Sequence, residues 1–179
     1  PPGRASRSLA TRPRGGPGTS GAGRAGRTFG CLGTSVPFGV GLEPYSAFAQ
    51  QVQRRTDAAG LSYQALNSGV SGETSAGLLR RLDWVLQDSA AVIVVETGAN
   101  DGLRGQPVDA TKATIGEILT RIAKERPEAR VVLGQREAPT NRGPFYTHAF
   151  HAVFPACARA RQVQPTPLLV AGGAGAAAA

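Results

Sequence analysis

The most distinctive pattern in the sequence is an apolar run, AAVIVVETG at residues 90–98, in which polar and apolar residues do not alternate. Such a run is typical of a strand that is covered on both faces, as the strands of parallel sheets are. Further runs at 28–33, 61–67 and 129–134 are candidate strands, and 166–172 is a possible fifth. The pattern therefore predicts a central, mostly parallel sheet of five strands.

Segments with helical spacing of apolar residues separate these runs. Helices are predicted at 43–60, at 75–88 and at 109–125. A fourth is predicted at 143–162, although Pro155 should bend or end it, because proline lacks the N–H that an interior helix position donates. Strands that alternate with helices place helices on both faces of a sheet. The predicted fold class is thus α/β, a three-layer α/β/α sandwich.

The first 28 residues differ in composition from the rest of the chain. They contain six arginines and no acid, so the net charge of +8 is concentrated there, and the remainder has 14 basic and 12 acidic residues. A segment with so few apolar residues cannot bury enough surface to order itself. We expect a disordered Arg/Gly/Pro-rich tail at 1–28, one folded domain at 29–170 and a low-complexity Gly/Ala end at 171–179. The alternative is that the tail binds nucleic acid or a membrane surface.

Several classes of protein are not indicated. Clustered basic and aromatic residues on a folded face are missing, so no nucleic-acid partner is expected. No run approaches the roughly 18 apolar residues of a membrane span, and no apolar segment of a signal peptide is visible, so no stable membrane insertion is expected. Cys31 and Cys157 form no disulfide framework or metal-binding spacing, and Cys31 is predicted to be a small core residue. Nothing in the pattern indicates an oligomeric state.

Three glycine-rich segments directly follow predicted strands. They are GTSVPFG at 33–39, GVSGETS at 69–75 and GANDGLRG at 98–105. In open α/β sheets, ligands bind beyond the carboxyl ends of the strands, which is the edge where all three segments would lie. Any one of them could be an ordinary turn, since such turns favour Gly, Ser and Asn. Their shared location is the first indication of a functional site.

Together the three segments resemble the first three sequence blocks of the SGNH (GDSL) hydrolases. The resemblance is greatest to the bacterial arylesterases and multifunctional thioesterase/lysophospholipases, whose blocks read like LGDSLTAGYGL, GVSGDTS and GGNDGLRG. It extends from about Phe29 to Arg161. It implies a flavodoxin-like sandwich and a serine hydrolase for small acyl-ester or thioester substrates, with no metal or organic cofactor. Relatives are often exported, which implies a periplasmic or secreted location.

The resemblance implies three catalytic residues. The family nucleophile falls on Ser35, an oxyanion-binding backbone N–H on Gly72, and an oxyanion-binding side-chain amide on Asn100. Acyl transfer requires a hydroxyl at a sharp turn and donors about 3 Å from the developing negative charge. Each residue also has a structural interpretation: a helix N-cap for Ser35, a turn with positive φ for Gly72 and an Asx-turn for Asn100.

Neighbouring residues are interpreted differently. Ser71 stands in a sequence similar to the G-x-S-x-G nucleophile elbow, but Glu73 occupies the position of the second glycine, so Ser71 is not the favoured nucleophile. Asp101 and Arg104 are expected to brace their loop through hydrogen bonds rather than to react.

The sequence departs from the family pattern in two places. Thr34 stands where the first block has aspartate, which predicts a looser site but not a lost one. The family's Asp-x-x-His block, which supplies the general base, has no counterpart, and His148 and His151 fall on ordinary helix positions. The alternative function is therefore a catalytically impaired relative or fragment that acts at most as a binding module. We also expect both chain ends to depart from the natural gene product.

Overall fold

The computed structural model of the chain describes residues 27–33 and 44–166. Within them, the strands form one sheet in the order β2-β1-β3-β4-β5, and every pairing is parallel. The strands are β1 (Arg27–Gly33), β2 (Tyr63–Gly69), β3 (Val92–Glu96), β4 (Arg130–Leu133) and β5 (Gln164–Pro165). The predicted parallel sheet is confirmed.

Helices connect the strands and cover both faces of the sheet. They are α1 (Pro44–Ala58), α2 (Ser75–Arg80), α3 (Leu82–Val85), α4 (Ala99–Arg104), α5 (Val108–Glu125) and α6 (Pro144–Arg161). On one face, the buried Cys31 packs with Ala49 of α1. On the other, Leu32, Ile93, Val95 and Leu133 join the main core with residues of α2, α3, α5 and α6. This is the predicted three-layer α/β/α sandwich.

The ends of the sheet differ slightly from the prediction. β1 begins at Arg27, so the last two residues assigned to the tail belong to the strand. β2 is shifted two residues from the predicted 61–67. β5 covers only residues 164–165, before the predicted 166–172, although Thr166 N still donates to Leu133 O at 2.9 Å. The rest of the tail, residues 167–172 and the Gly/Ala end lie outside the described residues.

Two helices also differ from the prediction. The helix expected at 75–88 is interrupted at Arg81, whose φ and ψ of −103° and 8° are not helical and whose N–H donates to Leu78 O. Helix α6 continues through Pro155 to Arg161, so of the two predicted effects of this proline, a bend or an end, the end does not occur. An interior proline costs about 3 kcal/mol. Burial of Phe154 and Cys157, on either side of Pro155, offsets that cost.

The edge strand β2 is protected by a side chain of α1. Gln53 Nε2 donates to Tyr63 O at 2.8 Å, and Ala65 N donates to Gln53 Oε1 at 2.8 Å. One side-chain amide thus supplies the donor and the acceptor that a neighbouring strand would supply. Gln53 Nε2 also donates to Asp57 Oδ1 at 2.8 Å, which fixes the amide in place. Unpaired groups on an edge strand are a template for pairing with another chain, so this contact reduces self-association.

We predict that Gln53→Ala promotes self-association and lowers the free energy of unfolding by about 1–2 kcal/mol, because Tyr63 O and Ala65 N lose their partner. Sedimentation velocity at several concentrations and urea unfolding measure the two effects. Gln50→Ala is the matched control, because Gln50 is an exposed residue of the same helix. Identical sedimentation and unfolding of the two variants would contradict the role assigned to Gln53.

Candidate active site

The sheet order creates a crevice between the carboxyl ends of β1 and β3. The chain runs from β1 to β2 on one side and then crosses to β3 on the other, which is the arrangement that forms ligand sites in open α/β sheets. Gly33 at the end of β1 pairs with Glu96 at the end of β3. A Cβ atom on Gly33 would lie 1.9 Å from Glu96 O, so only glycine permits this close approach.

The segment after β2 begins with a tight turn. Glu73 N donates to Val70 O at 3.3 Å, and Gly72 has a φ of 74°. Ser71 is not among the described residues with positive φ, so the turn is of type II, which requires positive φ only at its third residue. Gly72 therefore lies in a turn that requires positive φ, as its structural interpretation predicted. The turn's own hydrogen bond does not use the Gly72 N–H, so that donor can serve another acceptor.

The segment after β3 is not the simple turn that its glycines suggested. Residues Ala99–Arg104 form the short helix α4, which begins after Gly98 with a φ of 94°. Asn100 is buried in its first turn, and its Nδ2 donates to Glu73 O at 3.0 Å. The side chain thus reaches a different loop instead of closing an Asx-turn on its own backbone. Asn100 and the Gly72 turn, predicted separately, are directly connected.

Two further side chains of α4 hold the same loop. Arg104 Nη2 donates to Gly72 O at 2.8 Å. Asp101, which is 3% exposed, accepts hydrogen bonds from Ser75 N at 2.8 Å and from Ser75 Oγ at 2.6 Å. The predicted bracing roles of Asp101 and Arg104 are confirmed. Ser75 is the last residue of the motif GVSGETS, but its role in this contact was not predicted from the sequence.

Helix α4 rests on aromatic side chains of α6. A Cβ atom on Gly98 would lie 3.1 Å from the Phe154 ring, and one on Gly102 would lie 3.0 Å from the Phe150 ring. The two rings contact edge to face at 5.6 Å, and Tyr146 stacks on Phe150 at 5.8 Å. These glycines are therefore required for close packing, which sets the depth at which Asn100 lies.

Charged groups at this edge are paired rather than free. Glu96 and Arg136 form a buried ion pair between the end of β3 and the loop after β4. Glu73 binds Arg81 through two hydrogen bonds of 2.7 and 2.6 Å, which turns its carboxylate toward the segment between α2 and α3. Neither ion pair was predicted from the sequence. The feature of the sequence that indicates the Glu96–Arg136 pair is the position of Glu96 at the end of the otherwise apolar run AAVIVVE.

Comparisons with known proteins agree with this geometry. Residues 31–176 match the model of the GDSL-like lipase/acylhydrolase family. Esterase TesA of Pseudomonas aeruginosa is 32% identical over 152 residues, which cover 84% of this chain and 75% of that protein. Thioesterase 1/protease 1/lysophospholipase L1 of Escherichia coli K12 is 35% identical over 106 residues, 59% of this chain and half of that protein.

Solved structures give the same result. The crystal structure of TesA has a TM-score of 0.75 at 31% identity and covers 83% of this chain and 82% of its own. AlinE4, an esterase of the SGNH-hydrolase family, has a TM-score of 0.76 at 26% identity and covers 85% of this chain and 81% of its own. The chain belongs to the GDSL-like lipase/acylhydrolase family. It is a serine hydrolase of carboxylic esters with the SGNH fold.

Within this family pattern, the structure brings together the residues of the second and third blocks. Asn100 contacts Glu73, the residue after Gly72, at the carboxyl edge of the sheet, where Val70 N donates to Gly33 O at the end of β1. The first block continues from Gly33 into residues 34–43, so Ser35 and Thr34 lie outside the described residues. Ser71 is exposed in the turn next to Gly72.

The two histidines of this GDSL-family chain lie away from these contacts. His148 and His151 are exposed on α6, and His151 Nδ1 is 3.6 Å from Glu137 Oε1, which is also exposed. Both occupy ordinary positions of a helix, as predicted from the sequence.

Other potentially reactive groups are structural. Cys31 and Cys157 are buried free thiols, and burial raises the pKa of Cys31 to about 12, which keeps it protonated at neutral pH. Burial also raises the pKa of the Tyr146 hydroxyl, which donates to Gln106 O at 2.7 Å. Among the described residues there is no group of three or more His, Cys, Asp or Glu residues suited to a metal ion. No helix in the same part of the chain is long and apolar enough to cross a membrane.

We predict that Gly102→Ala lowers the free energy of unfolding by about 1–3 kcal/mol, because the added methyl group overpacks against Phe150 and Ala138. Gly116→Ala is the matched control. A Cβ atom at Gly116 in the middle of α5 has no neighbour within 4 Å, so the methyl group should stabilise the protein by about 0.5–1 kcal/mol. Urea unfolding measures both values. Equal effects of the two substitutions would show that α4 does not pack tightly on α6.

Proposed function

We propose that this chain cleaves carboxylic esters and thioesters through an acyl-enzyme on Ser35. The N–H groups of Ser35 and Gly72 and the side-chain amide of Asn100 stabilise the oxyanion. The observation that carries the proposal is the hydrogen bond from Asn100 Nδ2 to Glu73 O, because it connects Asn100 to the residue that follows Gly72 and so supports a shared role for two donors from distant motifs. For Ser35, the support is that the sequence around it matches the first block of the family.

The donors at this place have unused capacity. An asparagine amide has two N–H bonds, and one bond to Glu73 O leaves the second for a ligand. The Gly72 N–H takes no part in the hydrogen bond of its turn. Ser35 follows Gly33 by two residues, and two extended residues span at most about 7 Å. The match to the first block and this short separation from Gly33 in the sequence support Ser35 as the nucleophile.

The proposed reaction has two steps. Ser35 Oγ attacks the acyl carbon while its proton passes to a general base, and the carbonyl oxygen becomes an oxyanion held by the three donors. Collapse of the intermediate breaks the bond to the leaving group, and the alcohol or thiol departs with the proton. Water then attacks the acyl-enzyme in the same way and releases the carboxylic acid. No metal or organic cofactor takes part.

The general base is not assigned to either histidine. The family pattern supplies it from an Asp-x-x-His block, and no such motif occurs among the 179 residues. His148 and His151 are exposed on α6, and His151 faces Glu137. A base must come within hydrogen-bond reach of the hydroxyl proton, and this placement gives no support for either residue in that role.

The proposed substrates are small aryl esters, short- to medium-chain acyl esters, acyl thioesters and lysophospholipids. The names of the relatives support these classes: an arylesterase of Vibrio mimicus and a thioesterase/lysophospholipase of Escherichia coli. Exposed apolar side chains next to the proposed donors support them too. Val70 is the first residue of the Gly72 turn and Leu103 lies in α4, and each is 45% exposed. Such side chains suit an acyl or aryl group.

We predict that Ser35→Ala abolishes hydrolysis of a nitrophenyl acyl ester and covalent labelling by a fluorophosphonate. The reason is that the nucleophilic oxygen is lost. Ser71→Ala is the matched control and should keep both activities, because Ser71 is not the favoured nucleophile. Peptide mapping of the labelled chain identifies the modified serine. Equal turnover by Ser35→Ala would refute the proposal. Absence of turnover and labelling in the unsubstituted chain would support the catalytically impaired alternative.

We predict that Asn100→Ala lowers kcat on the order of 100- to 1000-fold, because loss of one oxyanion donor has that effect in acyl-transfer enzymes. KM should change much less, since the donor acts mainly on the transition state. Asn100→Asp should be equally slow, because a carboxylate has no N–H to donate. Steady-state kinetics on the same ester measure both. A purely raised KM would show that Asn100 binds the substrate and not the oxyanion.

A further inference from the structure

We propose that Arg104 is a positioning residue that holds the Gly72 N–H in its oxyanion-binding direction. This inference rests on the proposed function of Gly72. It starts from one contact: Arg104 Nη2 donates to Gly72 O at 2.8 Å across 32 residues of sequence. A Cβ atom on Gly72 would lie 4.0 Å from the same nitrogen, so the guanidinium lies directly beside this residue.

The direction of the Gly72 N–H depends on the type of the turn. Type I and type II turns differ mainly in the orientation of their central peptide, which here joins Ser71 to Gly72. A flip of this peptide would turn the N–H away and bring the Ser71 carbonyl toward the oxyanion. The observed φ of 74° belongs to the type II form.

Glycine by itself does not select that form. With no Cβ atom, it populates positive and negative φ about equally, so Gly72 permits either turn. The turn's own hydrogen bond, from Glu73 N to Val70 O, is long at 3.3 Å and is compatible with both turn types. Contacts from outside the turn therefore add a restraint on Gly72 that the turn itself lacks.

Helix α4 supplies such contacts on the Gly72 and Glu73 carbonyl groups, which belong to the two peptides after the Ser71–Gly72 peptide, so they anchor the turn on its carboxyl side. Arg104 binds Gly72 O, and Asn100 binds Glu73 O at 3.0 Å. Asp101 holds Ser75 just beyond them. Asn100 and Asp101 are buried, whereas Arg104 is exposed, so Arg104 can be substituted without opening the core. It is the contact that acts most directly on the Gly72 carbonyl.

The test uses the full chain with Arg104→Met, Arg104→Lys and the control Arg80→Met. Methionine keeps an unbranched apolar side chain but cannot donate, whereas lysine keeps a donor with different geometry. Arg80 is an exposed arginine at the end of α2. We expect Arg104→Met to lower kcat about 10- to 100-fold with little change in KM, since small misplacement of a catalytic group has effects of that size. Arg104→Lys should fall between Arg104→Met and the unsubstituted chain, and Arg80→Met should match the latter.

A second measurement is independent of turnover. In a uniformly ¹⁵N-labelled chain, Arg104→Met should shift and broaden the Gly72 amide resonance and speed its hydrogen exchange, while Arg80→Met should leave it unchanged. The double variant Asn100→Ala/Arg104→Met should lose less activity than the product of the single losses, because both residues serve one oxyanion site.

The outcomes separate this inference from the proposed function. If Ser35→Ala abolishes turnover but Arg104→Met leaves kcat and the Gly72 resonance unchanged, the positioning role is wrong and the hydrolase proposal stands. If Arg104→Met shifts the Gly72 resonance while the unsubstituted chain has no esterase activity, the proposed function fails and the structural role of Arg104 remains. If Arg104→Met lowers the free energy of unfolding but leaves kcat unchanged, the contact stabilises the fold and does not position the Gly72 N–H.

Discussion

The hydrogen bond from Asn100 Nδ2 to Glu73 O is the contact on which the candidate site depends. It joins the loop after β2 to the helix after β3, two segments that do not belong to neighbouring strands, because β1 lies between them. Backbone pairing in the sheet fixes the position of each strand end. It does not fix the distance or orientation between the loop after β2 and the helix after β3. A buried side-chain amide sets that relation, and its loss would leave a partly buried carbonyl without a donor.

The surroundings of this hydrogen bond explain why it can be made. On one side, Gly98 and Gly102 let α4 approach the aromatic rings of α6 closely. On the other side, Asp101 and Arg104 hold the loop that Asn100 contacts. The short helix is therefore fixed from both sides. Six residues of isolated helix would not be stable in water, so its order comes from these tertiary contacts.

The sequence was sufficient for the fold class and for the location of the candidate site, because both follow from patterns of burial. Continuous apolar runs identify strands covered on both faces, and glycine-rich segments after them mark the carboxyl edge. The same patterns could not identify the break at Arg81 or the continuity of α6 through Pro155. Apolar spacing reports which side chains are buried, not whether the backbone between them stays helical. In α6, packing on either side of Pro155 outweighs a local preference.

The side-chain network was also beyond prediction, for a different reason. Ser75 and Asp101 are 26 residues apart, and Glu96 ends β3 whereas Arg136 lies in the loop after β4. The pairing of such polar groups depends on the paths of the loops that carry them. These paths cannot be predicted from the spacing of residues in a single sequence. The resemblance to known hydrolases identified Gly72 and Asn100, but it assigned no partner to either.

The parallel pairing of β1 with β3 also determines when the site can form during synthesis. Phe29 pairs with Val92, and parallel strands cannot be joined by a short hairpin, so β2 and its flanking helices must be made first. Strands so far apart in sequence pair slowly, because the intervening chain loses conformational entropy before the strands gain any contact. A nascent chain on the ribosome would therefore lack the crevice until β3 has emerged. Because α6 follows later still, the surface that supports α4 would be the last part to be completed.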